Sequence, residues 1–434
     1  MTEQRVALKD LLAKSPADVA EVLLRLSPED AAEWLHRLSL RRAAAEPLGA
    51  MEPMDSAELL VRLDRDDALK ILSRMDPDDA VDLLEELPDA VQEELLSRLD
   101  RDDAAVLTEL LSYDADSAGG MMSPEYVALT LEMSAATAIA LLRQRVEEAE
   151  TVYYAYAVDA AGRLQGVISL RDLALARPEV RLETLVNLDV VAVHASTDAE
   201  DVAHLFDKYN YLALPVVDDA NVLLGIITID DVIDVMRSEA TEDIYGMAGV
   251  PSHERVDTTW RASLTMRLPW LYLRLGTAVA AAVVVGLFEE TIAKVAALAV
   301  LMGVIAGQGG SAGMQTVTIL TRAIALGEVD RRAGWRFLGK EFALAVANGV
   351  LIGLTVGGIT YAWKGQIMLG VAACIAMVLT LIVAGLTGVI VPLAMRFLGK
   401  DPALASGILL TTVTDVLGFG FLFLLAHLLL PEIA

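Results

Sequence analysis

At 434 residues the chain is too long for one domain, and its composition divides near Arg267: the residues before it hold 53 acidic and 23 basic side chains, a net charge of −30, while the remainder holds 8 and 11 and is strongly apolar. An acidic first half repels nucleic acid and anionic lipid and attracts cations. The one cysteine, Cys374, excludes a disulfide framework or a Cys-based zinc site within one chain, and the opening MTEQRVALKD has no signal-peptide apolar region, which predicts a cytoplasmic acidic half.

Residues 1–118 repeat a short unit. Asp64-Arg-Asp-Asp, Asp76-Pro-Asp-Asp, Pro88-Asp-Ala and Asp100-Arg-Asp-Asp each begin twelve residues after the last, and Ser15-Pro-Ala-Asp and Ser27-Pro-Glu-Asp are earlier copies with the same spacing. Each unit offers a capping residue, often Pro at the first helical position, then acids near the positive helix end, then leucines at helical spacing. This predicts an all-α superhelical domain built of short helices. Most first-turn acids serve as caps; Asp78 and Asp82 differ, because positions i and i+4 present two carboxylates on one face.

Residues 119–243 change period. Val152 to Val158 (VYYAYAV) alternates like a strand, and three landmarks then recur at an offset of 59: Asp159 and Asp218, Gly166 and Gly225, Asp172 and Asp231. This internal duplication of a strand, turn, strand and helix resembles a tandem pair of α/β CBS domains. CBS pairs commonly bind adenine nucleotides between their repeats, and the resemblance places Ser169 with Asp172, or Thr228 with Asp231, against ribose or phosphate. Tyr154 and Arg171 offer stacking and a phosphate contact; the competing reading is that the tyrosine packs and the arginine pairs on the surface.

The acids continue as Asp231, Asp234, Glu239, Glu242 and Asp243 along a helical stretch, and residues 244–267 are expected to form a linking (plug) helix. An acidic helix repels a second copy, or the acidic helical domain, unless divalent ions lie between them. Residues 268–434 are expected to be a transmembrane domain of five helices, at about 268–288, 292–318, 338–362, 367–395 and 403–430. The run from Gly307 to Thr316 (GQGGSAGMQT) interrupts the second with glycines and amides, a composition for a bent helix, close packing or a water-filled cavity. Gly349, Gly353 and Gly357 give the third span a small-residue face. Two loops are basic, one with Arg322, Arg331, Arg332, Arg336 and Lys340 and one with Arg396 and Lys400, so the positive-inside rule puts both in the cytoplasm and the C-terminus outside.

Asp415 sits near the middle of the last span, where a carboxylate costs several kcal/mol and is a functional candidate by default. Every Lys and Arg of the C-terminal half, Arg274 included, lies at or near the end of an apolar run, so none is expected to neutralise it. A proton relay wants further carboxylates or histidines, and only His427 is available; a structural role would bond Asp415 to Thr411, Thr412 or Thr414. A passing cation is the third reading. Hard divalent ions take oxygen ligands, and a lone carboxylate among hydroxyls suits a hydrated Mg2+, with a second copy supplying a paired Asp415.

With this domain order, and with Ala118-Gly-Gly-Met-Met-Ser-Pro-Glu-Tyr, Leu214-Pro-Val-Val-Asp, Glu239-Ala-Thr-Glu-Asp-Ile and Asp401-Pro-Ala, the chain resembles the MgtE family of magnesium channels or transporters over essentially its whole length. The resemblance implies a homodimer in a bacterial-type plasma membrane, with Asp415 as ion-binding residue. It implies a pore lined by Gly307, Gly310, Gly313 and Gln315 of the second span and Gly407, Thr411 and Thr414 of the fifth. It further implies Mg2+ sites that close the pore at Asp78, Asp82, Asp198, Glu200, Asp231, Asp234, Glu239, Glu242, Asp243 and Asp401. Gly407, Met314 and Asn210 depart from the family pattern.

The expected function is therefore Mg2+ uptake, shut off by Mg2+ on the cytosolic domains, with ATP or another adenine nucleotide bound by Tyr154, Arg171 and Asp172. The alternatives are transport of Co2+, Ni2+ or Zn2+, disfavoured by the lack of His and Cys near Asp415, and a membrane-anchored sensor that conducts nothing. No nucleophile–base pair or phosphate loop supports an enzyme.

Overall fold

The computed structural model describes residues 11–430 except 147–148, 253, 257, 327–328, 330 and 400, so the basic-loop residue Lys400 and the segment 1–10 lie outside the described residues. Two compact units divide the chain, residues 1–236 and 237–434.

Among the described residues from Pro16 on, the first unit holds eight short helices before its sheets, α1 (Pro16–Leu24), α2 (Pro28–Ser39), α3 (Ala45–Gly49), α4 (Pro53–Arg62), α5 (Arg65–Leu72), α6 (Pro77–Glu85), α7 (Asp89–Arg98) and α8 (Arg101–Leu110). The twelve-residue repeat sets their pitch. Ser15, Ser27 and Asp64 accept a backbone N–H in their first turns, as capping predicts. Leu11, Leu23, Leu35, Leu60, Leu72 and Leu84 are at most 2% exposed, so the repeat delivers nearly one leucine per helix to a shared axis. Each such side chain contributes about 2 kcal/mol. Helices pack on their second neighbours, α2 on α4, α4 on α6 and α6 on α8, as in a superhelix.

The duplicated region forms two three-stranded sheets. In one, β1 (Ala128–Leu129) is parallel to β2 (Tyr154–Val158), which pairs antiparallel with β3 (Leu164–Ser169); the other repeats this with β4 (Val193–His194), β5 (Ala213–Val217) and β6 (Leu223–Thr228). Tyr154 pairs with Ser169 and Ala157 with Gly166; 59 residues later Ala213 pairs with Thr228 and Val216 with Gly225. The repeats thus share register as well as sequence. Helices α9 (Ala135–Arg145), α10 (Leu170–Leu175) and α11 (Ala199–Tyr209) complete the pair.

Helix α12 (Ile229–Ala248) leaves β6 without a break. The expected helix over 244–267 is interrupted: α12 ends at Ala248 because Gly249 takes φ +71° and Pro251 follows, which stops a helix. The described residues of the segment that follows form no regular helix or strand before α13 (Trp260–Leu287), which starts eight residues earlier than the expected first span at 268. Glu254, 6% exposed, pairs with Arg267 of α13 at 2.6 Å and fastens that segment to the helix.

The second unit continues with α14 (Glu289–Lys294), α15 (Ala297–Ala325), α16 (Arg331–Lys364), α17 (Ile367–Phe397) and α18 (Pro402–Leu429). Among the described residues, α13, α15, α16, α17 and α18 are long and apolar enough to cross a membrane. The glycine and amide run does not break the second span, since α15 is one continuous helix. Glycine costs only about 1 kcal/mol in a helix, and in lipid the backbone keeps its internal hydrogen bonds. On α16 the small-residue face meets α17: a Cβ on Gly353 would lie 2.8 Å from the Cys374 carbonyl oxygen and one on Gly357 2.7 Å from that of Gly370.

Candidate functional site

Two groups of side chains carry the chemistry, one in each unit. In the second unit α18 packs along α15. A Cβ on Gly309 would lie 2.8 Å from Thr380 Cγ2 and 3.4 Å from Thr414 Cβ, and one on Gly313 2.4 Å from Leu410. An open groove of about 650 Å³ beside this contact is lined by Gly310, Met314, Gln315 and Thr411, among others. Of the expected pore residues, Gly310, Gln315 and Thr411 face this groove. Gly313 and Thr414 are buried in the helix contact instead, because small residues there let the two backbones approach. Gly307 is exposed, and Gly407 lies against Met314 and the Met247 carbonyl oxygen, 3.2 and 3.1 Å from where its Cβ would be.

Asp415 is half-buried on α18. The three threonines around it do not hold it. Thr412 donates to the Ile408 carbonyl at 2.7 Å, Thr414 to Leu410 at 3.0 Å, and Thr411 to Gly407, so each hydroxyl proton goes to the helix itself. Their oxygen lone pairs remain as acceptors, the oxygen-rich surface that a hard cation prefers. The charge reading needs one correction. Arg274 was expected at the start of a span, but the earlier start of α13 sets it near mid-helix, and α13 packs on α18, so its guanidinium acts on the Asp415 carboxylate.

A second membrane-region carboxylate escaped the sequence reading. Glu341 of α16 is 3% exposed, and its Oε2 accepts from the Thr316 hydroxyl of α15 at 2.9 Å. Its neighbour Lys340 ends the basic loop, and Lys340 Nζ lies 3.6 Å from Glu341 Oε1.

In the first unit, Asp78, Asp79 and Asp82 of α6 face Asp231 and Asp234 of α12, together with Glu150, which precedes β2. Burial, then repulsion from Asp231, Glu150 and Asp79, pushes Asp78 well above the usual carboxylate range, and its Oδ1 has no hydrogen-bond partner. Burial, then Asp76 and Asp231, raises Asp79 to about 7. Asp82 reaches about 7 through desolvation, then Asp79 and Glu85. Glu150 reaches about 8 through burial, then Asp76 and Asp231. Asp231 rises to about 6 mainly through burial, although the Thr228 hydroxyl, donating at 2.7 Å, pulls it down. Such a cluster is held together against its own charge, and it is neutralised by protons or by cations.

Of the residues named from the sequence, Asp78, Asp82, Asp231 and Asp234 lie in this cluster, and Asp76, Asp79 and Glu150, not named as candidates there, lie in it as well. Asp79 and Asp76 were legible as members of the Asp-Pro-Asp-Asp repeat; Glu150 carries no pattern. Other expected sensor residues fall elsewhere. Asp198 caps α11 by accepting the Glu200 N–H at 2.9 Å. In the second unit Asp243 faces Asp401 and Glu242; burial and then those two raise it to about 6, with Arg322 opposing. Asp401 caps α18 through the Ala403 N–H at 2.7 Å. Glu239 lies on the same helix, α12, as Glu242 and Asp243.

In the first CBS repeat Ser169 donates to Asp172 at 2.6 Å and receives its N–H at 3.0 Å, which caps α10; Arg171 and Asp172 are exposed, and Tyr154 is half-buried and pairs with Ser169 across the sheet. The equivalent Thr228 and Asp231 are committed to the acidic cluster, so the two repeats offer different surfaces.

Comparison with known proteins agrees with this division. A family model described as a divalent cation transporter, MgtE, matches residues 302–425; one for the MgtE intracellular N domain matches 14–116, and the CBS domain model matches 118–179 and 182–238. The magnesium transporter MgtE of Thermus thermophilus is 38% identical over 331 residues, 76% of this chain and 73% of that protein. That of Bacillus subtilis is 35% identical over 308 residues, 71% and 68%. A crystal structure of the cytosolic domain of the Mg2+ channel MgtE in complex with ATP aligns with a TM-score of 0.50 at 38% identity, covering 52% of this chain and 93% of that one. With a helical N domain, a CBS pair and five membrane-length helices, this chain belongs to the MgtE family of divalent cation transporters.

Proposed function

We propose that the chain carries Mg2+ across a bacterial-type plasma membrane through a path at Asp415, and that Mg2+ on its acidic domains closes the path. The observation that carries the transport reading is Asp415 itself, a half-buried carboxylate at membrane depth whose neighbouring threonine protons are all committed to the helix backbone. Relatives named magnesium transporters support Mg2+ as the substrate. An inside-negative potential favours entry of a divalent cation by ~4.6 kcal/mol per 100 mV. Two copies would pair their Asp415 residues, with Gly307, Gly310, Gly313, Gln315, Gly407, Thr411 and Thr414 along the second and fifth spans. The basic loops, and so the N-terminal domains, lie in the cytoplasm and the C-terminus outside.

The gating reading rests on repulsion. At low Mg2+ the carboxylates of Asp78, Asp82, Asp231 and Asp234 push their elements apart; Mg2+ bridges them, and the group of Glu239, Glu242, Asp243 and Asp401 acts likewise, with Asp198 and Glu200 as a further Mg2+ position in the CBS pair. An adenine nucleotide at Tyr154, Arg171 and Asp172 biases that balance, a reading supported by the ATP-bound relative.

The test is Mg2+ flux into proteoliposomes at low Mg2+ on the cytosolic face. Flux should rise with an inside-negative potential, vanish in Asp415→Ala and nearly vanish in Asp415→Asn. Wild-type flux in both variants would sink the pore assignment.

A further inference from the structure

We propose that Met314 is an apolar collar on the cation path, the side chain that limits how fast a hydrated Mg2+ moves between Asp415 and the α12 end of the groove. The proposal rests on the reading that Asp415 marks that path. It assigns a role to a residue at which the chain departs from the family pattern, so the role is this chain's own.

Two helix faces build the arrangement. On α18, Gly407, Thr411 and Asp415 follow one another at four-residue spacing, and on α15 Gly310, Met314 and Thr318 do the same, so each trio shares one face. The faces meet in register. A Cβ on Gly310 would lie 3.8 Å from Thr411 Cγ2, and one on Gly407 would lie 3.2 Å from Met314 Cε. Gly310, Met314, Thr318 and Thr411 all line the groove of about 650 Å³. At about 1.5 Å per residue, the level of Met314 and Gly407 lies about 12 Å from Asp415 along α18.

The chemistry of that level differs from its neighbours. Ser311, Gln315, Thr318 and Thr411 offer the groove hydroxyls and an amide, to which the waters of an ion can bond, and Mg2+ gives up its waters reluctantly. Met314 offers a methyl and a thioether, a weak acceptor, so the hydrated ion loses hydrogen bonds there. Ile319 is apolar too, but it belongs to the next row of α15 and is exposed. Apolar constrictions of this kind gate by dewetting. Gly407 narrows the collar, because without a side chain it lets the Met314 methyl reach α18. The Met247 carbonyl of α12 borders the same gap, 3.1 Å from where a Gly407 Cβ would be. Methionine is unbranched and flexible, so it slows passage without sealing it. A second copy related by two-fold symmetry brings an equivalent methyl to the same depth.

The experiment measures Mg2+ flux by the full-length protein in proteoliposomes at low Mg2+ and matched protein content, with melting temperatures taken in detergent. Flux should rise about fivefold in Met314→Asn and in Met314→Ala, the scale of removing one apolar group from the path, and much less in Met314→Leu, which keeps the apolar volume. Adding Asp415→Ala to Met314→Asn should abolish flux again. Unchanged or reduced flux in both Met314→Asn and Met314→Ala, beside normal wild-type flux, would overturn the proposal and leave the transport reading standing; a lower melting temperature in the same variants then marks Met314 as packing alone. If one of the two does not fold, the other decides. Equal rises in all three variants point to loosened packing, and a rise that survives Asp415→Ala points to a leak off the path; either overturns the proposal. No flux in wild type and variants alike defeats the transport reading itself, and the collar with it.

Discussion

The Thr316 hydroxyl on α15 donates to Glu341 Oε2 on α16 at 2.9 Å, and both residues are buried, at 4% and 3% exposure. The bond supplies a donor to a carboxylate removed from water and ties two membrane-length helices at one point. Thr316→Val, nearly isosteric, should destabilise the detergent-solubilised protein by about 1–3 kcal/mol, the range for losing a hydrogen bond to a charged partner. Thr316→Ser keeps the hydroxyl and should lose much less. Equal melting temperatures for the two would show that the bond contributes little.

Arg274 acts on Asp415 from α13. A fixed positive charge opposes the approach of a cation to that carboxylate. Arg274→Gln should therefore raise Mg2+ flux at limiting Mg2+ about fivefold, the effect of ~1 kcal/mol between charges separated by more than a contact distance. Unchanged or reduced flux in liposomes with equal protein content would remove Arg274 from the pathway.

The acidic cluster predicts how stability depends on pH. Asp79 and Asp82 stand at about 7, Glu150 at about 8 and Asp231 at about 6 in the folded chain, all above their unfolded values near 4. The folded state therefore holds more protons than the unfolded state between about pH 4 and 8, and stability falls as pH rises through that window. Metal-free protein should melt several degrees lower at pH 8 than at pH 6, at about 2–4 °C per kcal/mol for a unit of this size. Added Mg2+ should recover most of the loss at pH 8 and little at pH 6, where protons compete. A scan in which the metal-free melting point is flat from pH 6 to 8 would contradict the cluster.

Neutralising the cluster should uncouple gating from transport. Asp79→Asn and Asp231→Asn remove repulsion without removing volume, so the metal-free protein should melt higher than wild type. In liposomes, Mg2+ on the cytosolic face should then suppress flux only at concentrations about tenfold higher, since a lost charged ligand is worth ~1.4 kcal/mol or more. Wild-type inhibition curves in both variants would remove the cluster from gating.

Arg171 is exposed beside the Ser169–Asp172 cap. Arg171→Ala should weaken ATP binding about tenfold in a titration of the full chain, the cost of one charge-assisted phosphate contact, with little change in melting temperature. Unaltered ATP affinity would shift the nucleotide contact to other side chains.

Much of this architecture is legible in the sequence because it depends on periods. A twelve-residue spacing of caps and leucines gives the helical stack, an offset of 59 gives two sheets with one register, and long apolar runs give five helices. Asp415 is conspicuous for a similar reason: a charge inside an apolar run is costly wherever the helix ends up. Element ends were less legible. The segment 244–267 reads as helix until Gly249 breaks it, and α13 begins early enough to carry Arg274 inward.

The sequence by itself determined the order of domains, the number of membrane-length helices and which carboxylate is out of place, since local periodicity and hydropathy are properties of neighbours in the chain. Only the tertiary structure decided that Glu150 joins Asp76 and Asp78, that Thr316 serves Glu341, and that Arg274 acts on Asp415. These residues lie from 25 to more than 140 positions apart in the chain. Their interactions depend on which faces meet when strands and helices pack, and no single stretch of sequence records that.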